Sequence, residues 1–80
     1  MGRYFFHLQD GRRLLEDHEG RECGSLEDAK TYAIATARDV MTGEIRAGRL
    51  NLGWTIVISG NAGDVIDRLR FAEAVEIIEC

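Results

Sequence analysis

The chain has 80 residues, of which 45% are hydrophobic and 30% are charged. This length suits one small domain, and the composition is too apolar for a disordered chain. The formal net charge of −4 argues against a general binder of nucleic-acid phosphates, and the sequence contains no apolar run of about 18 residues that could cross a membrane.

Cysteine use and the N-terminal sequence bear on the compartment. Cys23 and Cys80 allow at most one internal disulfide, unlike a disulfide-rich secreted domain. The first residues lack the apolar region of a secretory signal. We therefore expect a single domain over residues 1–80, located in the cytoplasm with both thiols reduced. Because so short a chain buries a limited core, association with another chain is the expected supplement to its stability.

The N-terminal segment predicts a β-hairpin. Residues 3–9 alternate as a strand does, with one face formed by Tyr4, Phe6 and Leu8. Asp10-Gly11 follows, and this dipeptide between apolar runs is a strong hairpin signal, with residues 12–16 as the return strand. After a turn at residues 17–20, residues 21–23 form either a third short strand or a connector.

A long helix is predicted next. The hydroxyl of Ser25 can accept a hydrogen bond from a backbone N–H of the first turn, so the helix is expected from Leu26 to about Ala47, with Gly48 as the stop signal. A helical wheel gathers small and apolar residues into one stripe: Leu26, Ala29, Ala33, Ala37, Val40 and Ala47. The alanines in this stripe let the helix approach a sheet closely.

A second hairpin follows the helix. Residues 54–59 form a β-branched run, a five-residue turn follows, and residues 65–70 make the partner strand. In this partner strand Val65 and Leu69 are expected to face inward and Ile66 outward. The apolar spacing of residues 71–79 fits neither period well, and we predict a short helical turn there.

This order of elements predicts an α+β fold. We expect a small two-layer domain, with an antiparallel sheet built from two hairpins in ββαββ order and packed on one long helix. The predicted core consists of Tyr4, Phe6, Leu8, Leu14, Leu26, Ala33, Ala37, Val40, Trp54, Ile56, Ile58, Leu69 and Phe71.

Several short motifs resemble a known family. RYFFHL-x-DG at residues 3–11, D-x-x-G at 17–20, Ala-Arg-Asp at 37–39, W-x-I-x-I at 54–58 and F-x-E-A at 71–74 are similar to a family of small bacterial proteins of unknown function. The chain has Val57-Ile58-Ser59 where that family usually has Val-x-Asp. The resemblance covers nearly the whole chain and implies a fold and a length, but no chemistry. The helix start Ser25–Ala29 also resembles the antitoxin-type partial RNase H domains.

The residues that could carry chemistry lack diagnostic spacing. Structural zinc sites use closely spaced Cys and His pairs, which this chain does not have. Cys23 with His7 or His18 could form a nucleophilic site only if the fold brought them together. Gly60–Gly63 lacks the lysine and following helix of a phosphate loop. We therefore predict no enzymatic activity, no catalytic residues, no cofactor, no metal and no identifiable small-molecule ligand.

The sheet face away from the helix is the predicted functional surface. It is expected to carry Phe5, His7, Val57 and Ile66, and adjacent apolar residues on an exposed face indicate a partner. We predict a non-enzymatic interaction module that forms a homodimer or docks a partner protein through this face or an adjacent strand edge. The alternative is an antitoxin-like or regulatory protein that contacts nucleic acid or a toxin. The acidic charge balance disfavours nucleic acid as the partner.

Overall fold

A computed structural model describes residues 2–79 and confirms the α+β fold. The elements in chain order are β1 (Gly2–Asp10), β2 (Arg13–Leu15), β3 (Arg21–Cys23), α1 (Leu26–Arg46), β4 (Thr55–Ser59) and β5 (Val65–Arg70), followed by a single 3-10 turn, Phe71–Glu73. The five strands form one antiparallel sheet in the order β2-β1-β4-β5, and β3 also pairs with β1. No helix within residues 2–79 is long and apolar enough to span a membrane.

Strand β1 lies in the middle of the sheet. Its residues Phe5–Gln9 pair with β4, and its other edge pairs with β2 at one end and β3 at the other. Leu15 of β2 pairs with Leu8, and Arg21 of β3 pairs with Tyr4. The chain therefore advances six residues from β2 to β3 while the paired strand β1 advances only four. β2 and β3 are therefore two parts of one edge, interrupted where residues 16–20 loop out. Residues 21–23, for which the sequence allowed either a short strand or a connector, form strand β3.

Helix α1 follows the sequence prediction to within one residue. Ser25 is the N-cap, and its hydroxyl accepts a hydrogen bond from the Asp28 N–H at 3.2 Å. Gly48 follows the helix with φ +88°, a conformation that favours glycine. The buried stripe of α1 is Ala29, Ala33, Ala37 and Met41. These small side chains let α1 pack directly against the sheet, where Phe6, Ile56 and Ile58 complete the core together with Phe71.

The predicted core position of Leu14 and the predicted inward orientation of Val65 are wrong. Leu14 is 50% exposed, because it lies in a three-residue strand at the rim of the sheet rather than under α1. Val65 does not face inward: a bulge in β5 shifts the register, so Val65 pairs with Ser59 on the face away from α1. Beyond the 3-10 turn, residues 74–79 have no regular secondary structure, so the predicted helical turn is confirmed only at Phe71–Glu73.

Candidate functional site: the open face of the sheet

The open face is the side of the sheet that α1 does not cover. Strand register aligns two cross-strand rows on it. One row runs through His7, Val57 and Arg68, and the other runs through Phe5, Ser59 and Val65. Because directly opposed residues of antiparallel strands share a face, these six side chains form one continuous surface. The fold therefore brings Phe5, His7 and Val57 together as the sequence predicted.

Exposure differs strongly across this surface. Val57 is 7% and Ser59 is 3% exposed, because both lie in β4 between neighbouring side chains of β1 and β5. Phe5 and His7 are half-buried, and their rings stack nearly parallel with centroids 6.4 Å apart. The accessible apolar area lies on β5, where Val65 is 49% and Ile66 is 37% exposed. Ile66 is the extra residue of the bulge and has no partner in β4.

His7 is held by hydrogen bonds at both ring nitrogens. The Asp17 N–H donates to His7 Nδ1 at 3.0 Å, so Nδ1 is unprotonated. The proton of the neutral ring is then on Nε2, which lies 2.9 Å from Ser59 Oγ and donates to it. A general base for a serine needs a free lone pair on the facing nitrogen. This tautomer orients the side chains structurally and does not activate the Ser59 hydroxyl.

Asp17 fastens the looped-out segment to β1. Its Oδ2 accepts from the Phe6 N–H at 3.1 Å, where a backbone carbonyl would otherwise pair in the sheet. Its Oδ1 accepts from the N–H groups of Glu19 at 3.2 Å and Gly20 at 3.1 Å. Gly20 has φ +69°, and a Cβ at this position would lie 2.8 Å from the Phe5 ring. The loop therefore needs the carboxylate of Asp17 and a glycine at position 20, where the backbone lies close to the Phe5 ring.

The pKa of Asp17 is lowered from its ordinary value. Partial burial alone would raise this pKa, but the hydrogen bonds from Gly20, Phe6 and Glu19 stabilise the charged form and outweigh that effect. Asp17 is therefore a carboxylate at neutral pH, which is the form that its three donors require.

The alternative chemical sites are not assembled by the fold. Cys23 is buried, and its Sγ lies 3.9 Å from the Arg21 carbonyl oxygen, while His7 is engaged by Asp17 and Ser59. His18 is exposed in the loop. Among the residues that the structure describes, no three Cys, His, Asp or Glu side chains are grouped to hold a metal ion.

Three residues that form or organise this surface were not identified by the sequence reasoning. Asp17 was visible as turn chemistry in D-x-x-G, but its bond to the Phe6 N–H depends on a loop that interrupts the strand. Ser59 lies 52 positions from His7 in the chain, so their contact carries no local signal. Val65 was assigned to the wrong face because simple alternation does not reveal a bulge.

The fold defines a small α+β domain, and on its open face His7 is hydrogen-bonded to both Asp17 and Ser59. The chain belongs to the DUF6894 family, a domain of unknown function, whose family model matches residues 3–72. The match covers α1, strands β2 to β5, and all of β1 except Gly2. Comparisons with curated proteins and with solved structures found no match.

Proposed function

We propose that this protein is an interaction module that associates with a second copy of itself through the open face. The observation that carries the proposal is the exposed apolar pair Val65 and Ile66 on β5, with the half-buried Phe5 in the same cross-strand row on the other side of Ser59. Val65 is 49% and Ile66 is 37% exposed, on a face of the sheet that no helix or strand within residues 2–79 covers. Adjacent exposed apolar side chains are typical of an interaction surface.

The small core of the chain and the symmetry of a two-fold contact favour self-association over a different partner. A chain of 80 residues buries a limited core, and a second copy would cover apolar surface on both chains at once. A two-fold contact pairs the surface with itself, so the apolar area at β5 meets the same area of the partner. The proposal places this dimer in the bacterial cytoplasm, where Cys23 stays a thiol.

The rigidity of the open face supports the same proposal. His7 is fixed by Asp17 and Ser59, and Phe5 is stacked on His7 and seated over Gly20. Side chains that are already ordered lose little conformational entropy when a partner covers them. The surface is therefore organised before any contact is made.

Substitution of Val65 tests this proposal. We expect the wild-type protein to sediment as a dimer at micromolar concentration and Val65→Glu to sediment as a monomer, because a charge would be buried against apolar surface. Val65 contributes little to the core, so the fold should survive, which circular dichroism can verify. Ile66→Glu should have the same effect.

Ile45→Glu is the matched control. Ile45 is 61% exposed on α1, away from the open face, so this variant changes charge and apolar area equally without touching the proposed interface. It should remain a dimer. A monomeric wild-type protein, or equal dissociation of the Ile45 and Val65 variants, would contradict the proposed interface.

A further inference from the structure

The outer edge of β5 is the long free edge of the sheet. β5 pairs with β4 on one side and with no other strand among the described residues. An exposed edge of six residues is a template on which another strand could pair. The backbone N–H and C=O groups along this edge therefore determine whether a strand of another chain can extend the sheet.

Register identifies the groups that point outward. The Phe71 N–H donates to the Trp54 carbonyl at 3.0 Å, toward β4. Inward and outward groups alternate along an antiparallel strand, so Arg70 and Arg68 point their N–H groups away from β4. These two are the outward N–H donors of β5 between the bulge and the end of the strand.

Both donors are already occupied by carboxylates. The Arg68 N–H donates to Asp67 Oδ1 at 2.8 Å, and the Arg70 N–H donates to Glu73 Oε1 at 3.0 Å. Lys30 on α1 holds the other oxygen of Asp67 at 3.2 Å. The bond from the Arg68 N–H, followed by Lys30, lowers the pKa of Asp67, so its carboxylate stays charged at neutral pH.

Charge also opposes pairing between two copies of β5. Outside the bulge, two antiparallel strands related by a two-fold axis align each residue with a residue of the same face. The central registers then place Asp67 opposite its own copy or Arg68 opposite its own copy. Directly opposed like charges destabilise a strand pair. Only the register centred on Asp67 loses its central repulsion when that carboxylate is removed.

From this arrangement we infer that β5 is a strand-addition edge held closed by Asp67 and Glu73, and that its latent partner is β5 of a second copy, paired antiparallel about Asp67. The inference does not depend on the open-face dimer. It concerns an additional contact that the wild-type protein suppresses and that appears when both carboxylates are removed.

The test is the variant Asp67→Ala/Glu73→Ala, compared with wild type and with Asp39→Ala/Glu76→Ala. The control pair removes the same charge from exposed positions outside β5. We expect the edge variant to self-associate at about tenfold lower concentration than wild type, as measured by sedimentation velocity. The control should sediment as wild type does. No gain over wild type, or an equal gain in the control, would overturn the inference.

Cross-linking tests the register directly. In a Cys23→Ala/Cys80→Ser/Glu73→Ala background, Asp67→Cys should form an intermolecular disulfide on mild oxidation. The two residues at the axis form a non-hydrogen-bonded pair with Cα atoms about 4.5 Å apart, a distance that a disulfide can bridge. Arg68→Cys should cross-link poorly, and preferential cross-linking at Arg68 would refute the register.

The outcomes separate this inference from the proposed function. If the open-face dimer exists, the edge variant should form species larger than a dimer. If the wild-type protein is a monomer, the edge variant should still associate. Each proposal can therefore fail while the other stands.

Discussion

Asp17 is the residue on which the interrupted edge of the sheet depends. It is a local turn former for Glu19 and Gly20, and it also replaces a strand partner for the Phe6 N–H. Removing its carboxylate would leave a half-buried backbone donor without an acceptor. Hydrogen bonds to charged groups contribute more to stability than neutral ones.

We expect Asp17→Ala to lower the free energy of unfolding by about 2–3 kcal/mol, because three donors lose a charged acceptor. Asp17→Asn should fall between this variant and wild type, since one acceptor oxygen remains. Urea denaturation followed by circular dichroism measures the difference. Asp39→Ala, an exposed substitution on α1, should change stability by no more than about 0.5 kcal/mol. An Asp17→Ala protein as stable as that control would contradict the role assigned to Asp17.

The lowered pKa of Asp17 also predicts a pH dependence. A carboxyl group whose pKa is lower in the folded state stabilises the fold fully above its unfolded pKa, near 3.8. This contribution is lost as pH falls through the folded pKa. The stability difference between wild type and Asp17→Ala should therefore be constant near neutral pH and shrink as pH falls below about 4. A difference that grows toward low pH would have the wrong sign.

At the scale of elements, the small-residue stripe of α1 sets the distance between helix and sheet. Ala33 and Ala37 are fully buried against the sheet. The sequence predicted this stripe because helical periodicity and residue size are both local properties. It did not predict the bulge in β5. This bulge lies next to the turn that joins β4 to β5, and it places Val65 on the open face.

Enlarging the stripe should destabilise the protein. We expect Ala33→Leu or Ala37→Leu to cost about 1–3 kcal/mol, because the added methyl groups must displace core side chains or move α1. Ala35→Leu, at an exposed position of the same helix, is the control and should leave the unfolding midpoint nearly unchanged. Equal midpoints for all three variants would show that the stripe does not pack as described.

For the whole molecule, the sequence predicted the element order, the extent of α1 and the α+β class, because these follow from periodicity and turn residues near one another in the chain. It predicted the Phe5, His7 and Val57 surface because strand alternation alone assigns them to one face. The hydrogen bonds that organise this surface join residues far apart in the chain, as His7 and Ser59 do. Such contacts depend on strand register, which the sequence did not specify.

The central position of β1 has a consequence for the kinetics of folding. β1 is first in chain order, yet its principal partner β4 begins only at Thr55, after the whole of α1. The two hairpins and the helix can form within microseconds from local contacts. Joining β1 to β4 instead requires closing a long loop, which makes that step slow relative to the local ones. During synthesis β1 can therefore pair with β4 only after β4 has left the ribosome. Until then the edge of β1 that pairs with β4 stays unpaired.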